Sequence, residues 1–282
     1  MDIILAVVAA FFFALGLVLQ EKSASTLPSE AVGTGFLVRL ARQPLWLLGG
    51  AAQMAGFGAQ AWALGIGRMV VVQPLLILSI VFALPLGRLL EGRRIKRNEW
   101  IGAALVTGGL AVLLITAKTD EGSDDASFAR WAIAGGITGG IAVVLFLLAH
   151  GRSPSVRGAL LGIAGGILFG FAAALTKTVV SDFDEGFVAV VTDWHLYAIV
   201  VISVAAFWLE QAALQTGALA AAVATTMSFD ALSSLVFGIV VFDEALHETV
   251  LGYTVTGLSL AAALFGLVLV ARAKAAAAPR PA

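Results

Sequence analysis

Nine apolar runs of about twenty residues each, at 2–20, 45–64, 69–90, 99–117, 129–149, 158–178, 195–216, 218–242 and 249–271, dominate this 282-residue chain. At 1.5 Å per residue, a helix of that length spans the roughly 30 Å hydrocarbon core of a bilayer. Only helices and closed barrels satisfy their backbone groups without water, and runs this long read as helices. Charge agrees: 12% of residues are charged, about half of what a soluble domain carries. The mean hydropathy is +0.99. A soluble fold could not cover its surface with so few charges, so the expected class is an all-α polytopic membrane protein.

Asp2 is the only charge before the first run. A cleaved signal peptide needs a basic leading region, so that run is expected to stay as a helix. Two segments of about twelve residues, 31–42 and 183–194, are too short to span and read as interfacial or partly inserted helices. The chain has no cysteine, which excludes disulfides, thiolate metal sites and thiol chemistry.

With nine spans, one side of the membrane holds 13 of the 17 Lys and Arg residues, and the other holds 12 of the 18 acids. Basic loops face the cytoplasm. The expected topology is therefore N-terminus outside and C-terminus inside. Arg outnumbers Lys 12 to 5 and Ala is abundant, which favours a GC-rich bacterial genome and hence the bacterial inner membrane. Trp46, Trp62, Trp100, Trp131 and Trp194 fall near helix ends, as an interfacial aromatic belt requires.

Residues 67–102 and 217–252 share one order of elements at an offset of 150: a helix ending near Gly, a tight turn, a long apolar helix, a charged turn and a Gly-bearing helix start. FALGLVLQEK at 13–22 resembles FGFAAALTK at 169–177. Four spans return a chain to its starting side, so the extra helix at 129–149 turns the second half over. The expectation is a 4 + 1 + 4 inverted repeat. It comprises a first repeat at 1–117, a linker with the fifth helix at 118–157, a second repeat at 158–271 and a disordered tail at 272–282. Inverted repeats characterise secondary transporters, whose sites lie near the midplane at the repeat interface.

The polar residues at membrane depth name the site. A carboxylate at a helix centre costs about 2.5–3.5 kcal/mol on insertion scales, so it is rarely kept without use. Asp230 is central in its run, with Thr226, Ser233 and Ser234 on the same face. Structural hydrogen bonding is the competing role for it. Glu210, followed by Gln211 and Gln215, is the offset partner of Gln60, and the two are expected to face each other; snorkelling to the headgroups is the competing role of Glu210. Gln53, Gly56 and Gln60 share one helix face. Gln73-Pro74 and Pro85 interrupt the third run, which either exposes backbone to a ligand or is a tolerated kink. Lys177 closes the sixth run and either binds an anion, pairs with an acid or anchors at the interface. The expected substrate or ion site is thus Asp230, Glu210, Gln60, Gln73, Thr226, Gln53, Ser233, Gln211 and Lys177, with Asp230 and Glu210 as candidate metal ligands. The Gly162/Gly166/Gly170 stripe and the pairs Gly135/Gly139 and Gly136/Gly140 read as close helix contacts. His150, His195 and His247 show no metal-ligand spacing.

Two stretches resemble a known family. Residues 70–114, VVVQPLLILSIVFALPLGRLLEGRRIKRNEWIGAALVTGGLAVLL, and 217–246, GALAAAVATTMSFDALSSLVFGIVVFDEAL, are similar to the signature of the EamA-like drug/metabolite transporter (DMT) superfamily. Glu244 occupies the place of that family's helix-end Glu. Within the superfamily, the nine-helix layout, WLLGG at 46–50, VVQPL at 71–75, Gln60 in the place of a family Asn and Lys177 resemble the NIPA-like magnesium transporter group. Where that group carries a Glu three residues before the Asn, this chain has Phe57. The resemblance implies a transporter of a cation, with Mg2+ a candidate, or of a small proton-coupled metabolite. A multi-pass channel or a non-transporting scaffold is the alternative. The partners implied are the bilayer and a small cation or molecule, with a homodimer one option. No enzyme motif, cofactor motif or nucleic-acid signal is present.

Overall fold

The computed structural model describes residues 1–25, 42–91, 95–116, 122–123, 125–216, 218–244 and 249–275. Residues 31–41 of the expected short segment and 276–282 of the expected tail lie outside the described residues, whereas 272–275, expected in the disordered tail, continue the last helix. Eleven helices follow in order: α1 Asp2–Ser25, α2 Pro44–Ile66, α3 Met69–Leu75, α4 Leu78–Glu91, α5 Arg97–Thr116, α6 Phe128–Leu148, α7 Pro154–Ser181, α8 Phe187–Thr192, α9 Trp194–Leu214, α10 Leu219–Phe242 and α11 Val250–Ala275. A 3-10 turn, Asp182–Glu185, links α7 to α8, and no strand occurs among the described residues.

Eight spans are long and apolar enough to cross a membrane, with α3 and α4 together forming one. The remaining expected run is α2. It is a continuous helix of 23 residues, but five Gly and two Gln lower its hydropathy below that of the eight. The 69–90 run, expected as one helix, is divided. Pro74 cannot donate, and the chain tightens to three-residue spacing, Leu76 N–H to the Gln73 carbonyl at 3.1 Å and Ile77 N–H to the Pro74 carbonyl at 3.2 Å. Only the second half of the 183–194 segment is α-helical.

α7 is the hub of the bundle. At 28 residues it is the longest helix, and it packs against α10, α9, α6 and α2. The glycine stripe explains why. A methyl group on Gly166 would overlap the Thr226 carbonyl, and one on Gly170 would overlap the Ser233 hydroxyl, so α7 and α10 approach backbone to backbone. A methyl group on Gly135 would lie 3.3 Å from the Phe171 ring. The packing expected of Gly136, Gly139 and Gly140 does not occur: nothing lies within 4 Å of where their Cβ atoms would be, because α6 turns Thr138 and Ala142 inward instead.

α1 packs on α2 and α4, and α5 packs on α11. The α5–α11 pair is antiparallel, with Gly102 against Gly266 and Gly109 against Ser259. Ile133, Ile137 and Val144 on α6, and Val200, Val204 and Phe207 on α9, are exposed. Apolar faces this extensive would be untenable in water and are matched by lipid. Trp131 departs from the expected belt. It is 2% exposed, because it packs on Phe171, Phe242 and His195 and its indole N–H bonds Asp125 at 2.9 Å.

Candidate functional site

The central polar site is organised by two adjacent glycines near the middle of α7. Gly166 faces the turn of α10 between Thr226 and Asp230, and Gly165 faces the turn of α9 at Leu209 and Glu210. Consecutive residues share one depth, so Asp230 and Glu210 flank α7 at the same level. They lie roughly 18 Å along α7 from its start. On its own helix Glu210 is partly buried and lies four residues before the end at Leu214. Across α7, the acid at the level of Glu210 is Asp230.

Around Asp230, Ser234 Oγ donates to Oδ1 at 3.4 Å, and Ser233 Oγ donates to the Asp230 carbonyl at 3.2 Å. Ser234 is fully buried. Thr226, one turn away, is buried and its hydroxyl has no partner. A second unsatisfied group lies on the facing helix. Gln73 is 2% exposed, yet neither its amide oxygen nor its amide nitrogen has a hydrogen bond. An unpaired buried amide costs about 1–3 kcal/mol, so this position holds a polar group at the expense of stability. The α3–α10 register is antiparallel, with Val70 against Gly238 and Ile77 in one apolar cluster with Ala231. Gln73 therefore sits between these contacts, on the α10 side of the break at Leu76–Ile77.

Two expected site residues are otherwise engaged, and a third, Gln60, is shown only by its burial. Gln53 donates its amide to Gln20 at 3.0 Å, inside the α1–α2 contact that Gly16 and Gly49 permit. Gln60 is half-buried on α2. Gln211 points away from Asp230 into a separate cavity of about 270 Å3, shared with His150, Arg157, Trp208 and Gln215.

Lys177 pairs with an acid, one of the three roles open to it. The acid is Glu244, 2.5 Å away, and both side chains are buried. Asp243 takes the left-handed conformation at φ 54° and ends α10, so that the Glu244 N–H closes on the Gly238 carbonyl at 3.0 Å. That turn aims the Glu244 carboxylate at the start of α3, where it accepts the Met69 and Val70 N–H groups at 2.9 Å each. The anion thus meets two orphan amides, a helix dipole and a cation together. Lys177 also lies over the Phe242 ring at 4.6 Å. Arg130 fastens the same end by bonding Asp243 at 2.6 Å and the Val241 carbonyl at 3.0 Å. The sequence reading placed Glu244 by family position and gave it no role. The signal available was its place just beyond the helix end, opposite a buried Lys.

The architecture and these buried charges define a multi-pass helical membrane protein. No family model matches the chain. It is 27% identical to an uncharacterized protein of Corynebacterium glutamicum over 221 residues, covering 77% of this chain and 76% of that one. No solved structure matches it.

Proposed function

We propose that the protein is a secondary transporter of the drug/metabolite type, working by alternating access with a midplane site. Its substrate is a cation, with Mg2+ a candidate, or a small metabolite coupled to protons. The observation that carries this reading is the pair Asp230 and Glu210, held at one depth on either side of α7. Two carboxylates at membrane depth are costly, and no basic side chain pairs with Asp230 or Glu210 among the described residues. A cation or proton arriving from solution completes them. The unsatisfied Gln73 amide and Thr226 hydroxyl add ligand-directed polarity nearby.

The inverted repeat is supported by pairing order. α1 packs on α2 and α4, and their offset counterpart α7 packs on α9 and α10. Gly109 and Ser259, 150 residues apart, meet directly in the antiparallel α5–α11 contact. Residues related by a two-fold axis meet each other only where that axis passes. On this reading α2 is the ninth span, the N-terminus is outside and the acid-rich end faces away from the cytoplasm of a bacterial inner membrane.

The test is flux into proteoliposomes holding a trapped magnesium dye or a pH dye, with a panel of amines and metabolites under a proton gradient. Native protein is expected to move a substrate, and Asp230→Asn is expected to elute as a folded particle without flux. Full flux in Asp230→Asn would overturn the role of the carboxylate pair. Currents above carrier rates would replace the carrier with a channel.

A further inference from the structure

A second polar cavity, of about 290 Å3, opens at the acid-rich end, lined by Asp125, Thr178, Asp182, Thr192, Asp193 and His195. It lies where the approach to α6, the end of α7, α8 and the start of α9 meet. His195 is 4% exposed and stacks on Trp194, with ring centroids 3.9 Å apart. Its Nδ1 lies 2.6 Å from Asp193 Oδ2. A carboxylate accepts, so Nδ1 carries the proton, and in the neutral ring Nε2 is left as a bare acceptor. That Nε2 is buried without a hydrogen-bond partner, and the nearest charged group is Asp125, at 3.8 Å.

The rest of the lining has the same polarity. Asp125 already accepts the Trp131 indole N–H at 2.9 Å and has lone pairs to spare. The Thr192 hydroxyl gives its proton to the Val188 carbonyl at 2.8 Å, which leaves its lone pairs outward. Among the described residues no Lys or Arg lines the cavity. Of the described cations at this end, Lys177 is matched by Glu244 and Arg130 by Asp243. Three carboxylates therefore face one space and accept hydrogen bonds there, and His195 Nε2 lies buried and unbonded in its wall.

We infer that this cavity binds a small cation that presents only hydrogen-bond donors: a primary ammonium, or a metal ion inside its intact water shell. The two share one outward chemistry, positive charge clothed in N–H or O–H groups. Direct ligation of a bare ion is disfavoured, since no three acidic or His groups converge on one point among the described residues. The volume suits a clothed ion, being room for about ten waters. This site is distinct from Asp230 and Glu210, and its binding does not depend on the transport reading.

Calorimetric titration of the full-length protein in nanodiscs tests it with two probes. Hexaamminecobalt(III) keeps its ammines and offers only N–H donors; methylammonium represents the organic arm. Saturable binding is expected, weakened about tenfold by either Asp125→Asn or Asp182→Asn. It is expected to be unchanged in Gly139→Ala, whose added methyl meets open space. Binding of the cobalt complex alone assigns a hydrated metal, and binding of methylammonium alone assigns an amine. Asp125→Asn keeps an oxygen for Trp131, so it carries the test if Asp182→Asn fails to fold. The proposal is overturned if folded native protein binds neither probe, or if both Asn variants bind as the native does.

Discussion

Removing the Lys177 charge is expected to loosen the acid-rich end of the bundle by a measurable amount. In Lys177→Met the side chain still packs on Phe242, since Met fills similar space and favours aromatic contact. What is lost is the only cation bonded to Glu244 among the described residues, and Glu244 has a fully buried side chain. Breaking a buried pair by removing one partner costs about 3–5 kcal/mol. Here Glu244 keeps the Met69 and Val70 amides, so the lower end, about 3 kcal/mol, applies. At roughly 2–4 °C per kcal/mol for a chain of this size, the melting midpoint falls by about 10 °C. Glu244→Gln reaches a similar loss by another route, because its amide group sets an N–H against the α3 amides. The double variant discards both charges, so the losses should not add, with a coupling of about 1–3 kcal/mol. Fluorescence-detected size exclusion after heating, on the native protein, both single variants and the double variant, measures all four corners. A Lys177→Met midpoint within 2 °C of native, or losses that simply add, would refute the claim that this pair ties α3, α7 and α10 together.

Gly166→Ala is expected to destabilise by about 1–3 kcal/mol, because its methyl meets the immovable Thr226 carbonyl. Gly139→Ala, with open space around it, should melt as the native does in the same heating assay. Gln73→Leu replaces an unsatisfied buried amide and is expected to raise stability by about 1 kcal/mol while lowering flux; equal flux would dismiss Gln73 from the site. Burial, and then the hydrogen bond and charge of Asp193, push Asp182 up to about 6 from 3.8, with Asp125 adding to the rise and His195 opposing it. A raised carboxylate takes its proton early, so cation binding at the acid-rich cavity should weaken as pH falls through about 6. A binding profile flat down to pH 4.5 would contradict that sign.

Helix positions were legible because bilayer thickness and apolar run length are one constraint. The eight apolar spans were all expected, and α2 occupies the remaining run. Asp230 was legible for the same reason, since a charge in a 24-residue apolar helix stands out. The Gly162 stripe was readable because small residues at four-residue spacing have few other uses. The Gly136/Gly140 and Gly139 reading failed because the same spacing can face lipid, and sequence does not reveal which helix face is covered. The break after Pro74 was half legible: proline marks where a donor is missing but not where the chain re-forms. Partners distant in sequence were not legible. Lys177 and Glu244 are 67 residues apart, and Asp125 and His195 are 70 apart. Nothing in local pattern joins them. The histidines were dismissed for lacking ligand spacing, yet His195 lies among three carboxylates drawn from separate segments.

The distribution of satisfied and unsatisfied polar groups has its own logic. At the acid-rich end, Glu244, Lys177, Arg130 and Asp243 meet one another, two helix-start amides and a carbonyl. A network of that kind is rigid, since each member loses several partners if one element moves. About one turn inward on α3 the Gln73 amide has none, and roughly four to five turns back along α10 Asp230 has one long bond from Ser234 and the Thr226 hydroxyl has none. Polar groups kept dry and unpaired reduce stability, so a chain under no other demand replaces them with apolar residues of similar shape. Their placement beside a helix break and along a smooth glycine contact puts the least satisfied groups where the bundle can most readily rearrange. The closed network holds one end of α3, and at the Leu76–Ile77 break the chain switches to three-residue hydrogen bonding. A clamped end beside an unsatisfied middle supports the proposed alternating-access carrier over a passive scaffold.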